Sequence, residues 1–175
     1  EEGKYTEACQ ALNPVVAVSD SVFNVTKKFY DGNYAQLEEV SAQATENGCE
    51  YVGKVVAAAL QFAGTELEAE DATYAILAAL DEKLAGYAEY ASYLLEAETT
   101  ISTTKAFSAT DVTFVKDNVI APQVADLVAK FRTKADCQDL LAKLQKAMNA
   151  LNGTLNLKHK EGDATDLIVN PTIDD

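Results

Sequence analysis

This 175-residue chain has one histidine, one methionine and no tryptophan. A single histidine leaves Ser/His/Asp and Cys/His catalytic arrangements with one candidate, His159. It is flanked by Lys158 and Lys160 in a polar tail and reads as an exposed side chain. A di-iron bundle needs Glu-x-x-His on its helices, and that motif does not occur. The three cysteines, Cys9, Cys49 and Cys137, form no C-x-x-C pair, which argues against a structural zinc site. Neither G-x-G-x-x-G nor G-x-x-x-x-G-K-S/T is present, so nucleotide binding has no support. No catalytic residue, metal or cofactor is therefore expected. Three prolines and eight glycines are too few for the dense turns of a β-sandwich or barrel. Basic residues are also scarce. Fourteen Lys and Arg face 28 Asp and Glu, a net charge of −14, which argues against nucleic acid or an anionic membrane surface as partner. Nowhere does the chain reach the roughly 18 to 20 consecutive apolar residues of a membrane span. The longest candidate, 52–63, is interrupted by Gly53, Lys54 and Gln61.

What the chain does contain favours helix: 29 alanines and 15 glutamates make up a quarter of it. Apolar spacing of three and four residues predicts five helices. Val15, Val18, Val22, Val25 and Phe29 mark the first, which starts near residue 2 and is kinked or restarted at Asn13-Pro14. Asp31-Gly32-Asn33 reads as a break. A second helix over 34–63 has the seam Tyr34, Leu37, Ser41, Ala44, Gly48, Tyr51, Val55, Ala58 and Phe62. Its small members would admit a close neighbour or leave a cavity. Gly64-Thr65 reads as its end, with Glu66, Glu68, Glu70 and Asp71 as the acidic first turn of a third helix over 66–98.

Ile76, Leu80, Leu84, Tyr87, Ala91 and Leu94 form the stripe of that third helix. Tyr87, Tyr90 and Tyr93 on it read as core packing, with a partner-binding patch as the sharper alternative. A hydroxyl-rich connection over 99–110 leads to a fourth helix, broken or kinked at Ala121-Pro122. The fifth covers 134–151 and stops at Asn152-Gly153. The expected architecture is all-α: an elongated antiparallel bundle of long helices over 1–151, then a partly irregular polar tail over 152–175. Leu155-Asn156-Leu157 and Leu167-Ile168-Val169 in that tail suggest a weak hairpin. With unbroken helices, the Gly64 turn would lie at one end and both Gly32 and the 99–110 connection at the other.

Asn24 and Asn152 head N-x-T sequons, whereas Asn170-Pro171-Thr172 is blocked by its proline. The cysteines read either as three buried thiols or as one bridge plus a free thiol. Helical rise brings Cys137 to the level of Cys9 and of Cys49, so a bridge would join Cys137 to one of them. The chain opens at Glu1-Glu2-Gly3 without an initiator Met, consistent with removal of a leader.

Runs such as Ala57-Ala58-Ala59, Glu66-Leu67-Glu68-Ala69-Glu70 and Ile76-Leu77-Ala78-Ala79-Leu80, together with the threonines of 99–104, carry a resemblance. In composition and architecture the chain resembles trypanosome insect-stage surface-coat glycoproteins of the glutamic acid/alanine-rich kind. That resemblance implies a non-enzymatic protective coat on the extracellular face of the plasma membrane, held by a glycosylphosphatidylinositol anchor. It implies neighbouring coat molecules and insect-host surface molecules as partners. No anchor signal follows Asp175 and the cysteine count is odd, both departures from that pattern. The alternative is a secreted or surface helical binding protein, either a receptor for a host macromolecule or a carrier of an apolar ligand.

Overall fold

The computed structural model describes residues 29–69 and 74–161. Among them the fold is all-helical, with no strand. Five helical passes make it up: α1 (Ala35–Asn47), α2 (Glu50–Ala69), α3 (Tyr74–Thr103), α4 (Ala109–Val115) continued by α5 (Ala121–Ala129), and α6 (Lys134–Glu161). The helices expected over 2–29 lie outside the described residues except for Phe29, whose side chain is fully buried. The break at Asp31-Gly32-Asn33 is present: Gly32 leaves the helical region (φ −94°, ψ −114°) within the π-turn Tyr30–Tyr34.

The core follows α3, the longest helix, at about 45 Å by its rise. Leu77, Leu80, Leu84, Tyr87, Tyr90, Ala91 and Leu94 are all buried along it, close to the stripe read from the sequence. Both α1 and α2 pack against α3, α5 packs against α2, and α6 lies along α3. Tyr87 and Tyr90 are core, and Tyr93 is partly buried against it, so these tyrosines form no exposed patch.

The expected second helix is two helices. Gly48 takes a left-handed conformation (φ 67°), the only positive φ among the described residues, and closes α1. The Cys49 N–H then reaches back to the Ala44 carbonyl at 2.8 Å, a Schellman-type stop. This break resets the phase of the seam. In α2 the buried residues are Val52, Val55, Val56, Ala59 and Ala63, whereas Tyr51, Ala58 and Phe62 are only partly buried. One residue of phase is ~100° of rotation.

Gly64-Thr65 does not end a helix. α2 continues to Ala69, which keeps Leu67 packed on the core, and Glu66 pairs with Lys83 at 3.6 Å instead of starting α3. α3 in turn runs on through Thr103, so the hydroxyl-rich connection shrinks to 104–108. Nor does Gly153 stop α6, because its φ is not positive and the helix carries on to Glu161. Leu155-Asn156-Leu157 are consequently helical rather than a strand, and residues 167–169 lie outside the described residues. Pro122 disturbs its helix as expected but does not break it. The chain widens into a π-turn over Lys116–Ile120, which accommodates the proline ring and its missing N–H before α5 continues.

These changes reverse the expected placement of the ends. Asn33 Nδ2 donates to the Asp81 carbonyl (3.2 Å) and to Asp81 Oδ1 (3.0 Å), which fixes Gly32 near the start of α3. Cys49 Sγ lies 3.7 Å from Thr99 Oγ1 near the end of α3. The Gly48 reversal therefore shares an end with the 104–108 connection, and Gly32 lies towards the other.

Candidate functional site

Three polar side chains of α3 reach from the core into neighbouring passes, and each has a distinct structural task. The Tyr87 hydroxyl lies 2.7 Å from the Leu127 carbonyl and 3.1 Å from the Lys130 carbonyl, and it accepts the Arg132 N–H at 3.0 Å. It thereby gathers both sides of the α5–α6 connection onto α3. Burial pushes this hydroxyl up to about 12, so it stays protonated and able to donate.

Phe131 in the same connection stacks on Phe62 (ring centroids 5.4 Å) and meets Tyr87 edge-on (5.5 Å). Lys83 Nζ lies 4.8 Å over its ring. Arg132 grips Asp126 through the carbonyl and the carboxylate, and Thr133 with Asp136 closes a reciprocal capping box at the start of α6. Replacing Tyr87 by Phe leaves the ring in place but strands buried backbone groups, at a cost of about 1–3 kcal/mol. Thermal unfolding should show a melting temperature lower by ~2–4 °C per kcal/mol. An unchanged melting temperature would mean the clamp contributes nothing.

One turn further along α3, the Tyr90 hydroxyl donates to Gln123 Oε1 at 2.6 Å, both side chains being buried. Burial raises the Tyr90 pKa. Further on again, Glu98 is only 6% exposed. Its two oxygens accept the backbone N–H groups of Tyr51 (3.3 Å) and Val52 (3.0 Å) at the N-terminus of α2. Cys49 precedes α2 and offers no oxygen, so an acceptor from another helix replaces the usual N-cap side chain. Burial raises the Glu98 pKa, opposed by those two N–H groups and by Lys116 and reinforced by Glu50.

The structure does not bring the sequence-derived candidates together. Cys49 and Cys137 are both buried free thiols. Cys137 packs against Gly86 and Cys49 against Thr99, thirteen residues apart on α3 or ~20 Å, whereas bridged α-carbons must lie within ~7 Å. The bridge from Cys137 to Cys49 is thus ruled out by their placement, and Cys9 lies outside the described residues. Burial pushes the Cys137 thiol up to about 12, so it is no nucleophile near neutral pH. Asn152 is exposed on α6, Asn24 lies outside the described residues, and so does the side chain of His159. At the seam considered for a cavity, Ala44 is buried, Ser41 is partly buried and Gly48 is an exposed cap.

Two shallow clefts open elsewhere. One of about 690 Å³ runs between α2 and α5, over Ala57, Ala58, Phe62 and Val128. The other, of about 480 Å³, lies between α5 and α6 beside Gln123, Asp126 and Lys143. Among the described residues no group of His, Cys, Asp or Glu is arranged to hold a metal ion, and no helix is long and apolar enough to cross a membrane.

The sequence reading missed Glu98 because its partners are backbone groups of a distant helix, and Arg132 because its grip on Asp126 forms only across the turn out of α5. The spacings Ser108-x-x-Asp111 and Thr133-x-x-Asp136 were legible cap signals: the Ser108 hydroxyl accepts the Asp111 N–H at 3.0 Å. No protein-family model matches the chain, and no curated protein or solved structure shows significant similarity to it.

Proposed function

We propose that this chain is a non-enzymatic cell-surface coat protein, held to the outer face of a plasma membrane by a lipid anchor and packed among copies of itself. The observation that carries the reading is how the bundle uses its buried polar groups. Tyr87, Tyr90 and Gln123, and Glu98 each tie one helix to another or to a connecting segment. Such bonds serve rigidity rather than chemistry. A continuous helix of ~45 Å supplies reach, and 28 acidic against 14 basic residues supply mutual repulsion between neighbours. The composition and helical architecture also agree with the resemblance to trypanosome surface-coat proteins.

Phosphatidylinositol-specific phospholipase C applied to intact cells that make the protein tests this reading. The expected result is release of surface-biotinylated protein into the medium. Protein that escapes biotinylation, or that stays with the cell pellet after the lipase has released a known anchored control, would overturn it.

A further inference from the structure

The Asn152-Gly153-Thr154 sequon falls within α6. Lys134 and Cys137 at the start of α6 pack against Gly86 of α3. Further along α6, Leu140 and Lys143 border the same cleft as Gln123, whose side chain is bonded to Tyr90 of α3. α6 therefore runs in the same direction as α3. Counting equal rise from the Gly86 contact, Leu151 comes level with Thr103. Asn152 is thus at the end of the bundle shared by the Gly48 reversal and the 104–108 connection.

Around the helix at that level, the side facing α3 is Leu144, Ala147, Met148 and Leu151, all buried. Asn149, Asn152 and Gly153 are exposed. A Cβ placed on Gly153 would meet nothing within 4 Å, so the space beside the sequon is open. Glycine in a helix interior also weakens it by about 1 kcal/mol relative to alanine, which lowers the cost of opening this turn for an enzyme.

We propose that Asn152 is an N-glycosylation site, with an N-acetylglucosamine-based oligosaccharide as the modifying group. It rests on the surface reading in one respect, passage of the chain through a secretory compartment. In the transfer, the Asn152 carboxamide nitrogen attacks the anomeric carbon of the first sugar of a lipid-diphosphate-linked oligosaccharide. The C–N bond forms as the bond from that carbon to the diphosphate oxygen breaks. The lipid diphosphate leaves with the electron pair, and the amide proton passes to the transferase. A bulky hydrated glycan here covers the end of the bundle where α6 emerges and needs no rearrangement of the core.

The full chain, given a secretion leader and an appended sequon of known occupancy, should be expressed in a glycosylating eukaryotic host. Peptide-N-glycosidase F treatment in heavy-oxygen water, followed by peptide mass mapping, marks each occupied asparagine. The wild type should carry the mark at position 152, N152Q and T154A should lose it, and T154S should keep it. Far-ultraviolet circular dichroism of the four proteins should match, which separates loss of the mark from loss of the fold. An unmarked position 152 beside an occupied appended sequon, or a mark that survives T154A, would overturn the site. Occupancy in this host does not depend on an anchor, so the site and the coat reading fail separately.

Discussion

Gly86→Ala should lower stability while Gly53→Ala raises it, although both replace a glycine inside an α-helix with a better helix former. A Cβ at Gly86 would lie 2.8 Å from the Lys134 Cα and 3.1 Å from the Cys137 Cβ. The first of these is backbone and cannot rotate away, so α6 must shift off α3. Overpacking of this kind costs typically about 1–3 kcal/mol, partly offset by about 1 kcal/mol of helix propensity. At Gly53 a Cβ meets nothing within 4 Å, so only the propensity gain of up to about 1 kcal/mol remains. Urea unfolding of both variants measures the pair, and Gly86→Val should be worse than Gly86→Ala. A Gly86→Ala protein at least as stable as wild type would mean that α3 and α6 do not approach this closely.

The second large effect is expected at Glu98. Truncation to alanine leaves the Tyr51 and Val52 N–H groups without their acceptor at the start of α2, a loss of about 1–3 kcal/mol for each buried group stranded. Glu98→Gln retains one acceptor and removes the ionisation. Because burial raises the Glu98 pKa above 4.5, the folded protein holds a proton that the unfolded chain has already released. The stability this contributes is fully present below the unfolded value and is lost as pH rises through the folded one. Wild type should therefore lose stability relative to Glu98→Gln as pH is raised from about 4 to about 7. Denaturation midpoints across that range decide the matter, and parallel curves for the two proteins would refute the assignment. The positive end of α2 favours the carboxylate, but desolvation outweighs it.

Gly86 and Glu98 also show why a sequence of this kind is partly legible. The third-helix stripe, the break at Gly32 and the disturbance before Pro122 were all readable, because each depends on residues within one or two turns of one another. Gly86 stood in the sequence as an unremarked glycine in a strong helix, since its neighbour Lys134 lies 48 positions on. Of the small residues Ser41, Ala44 and Gly48, by contrast, Ala44 is buried, Ser41 is partly buried and Gly48 is exposed. Residue size reports what a position permits, and only the partner's path decides whether that space is used.

Composition and 3–4 periodicity by themselves determined an all-helical bundle, because alanine and glutamate favour helix and the apolar stripes leave each helix needing a neighbour. They also determined an acidic surface. Tertiary structure decided which of the later glycines turns the chain. Gly48, Gly64 and Gly153 look alike in sequence, yet only Gly48 adopts the left-handed conformation that stops a helix. Beyond Gly48 the next helix finds a cap in Glu98, 46 residues on from Val52, and Cys49 is buried against Thr99. At Gly64, continuing the helix keeps Leu67 on the core. A glycine makes a reversal cheap, but the contacts waiting on the far side of the turn select which glycine reverses the chain.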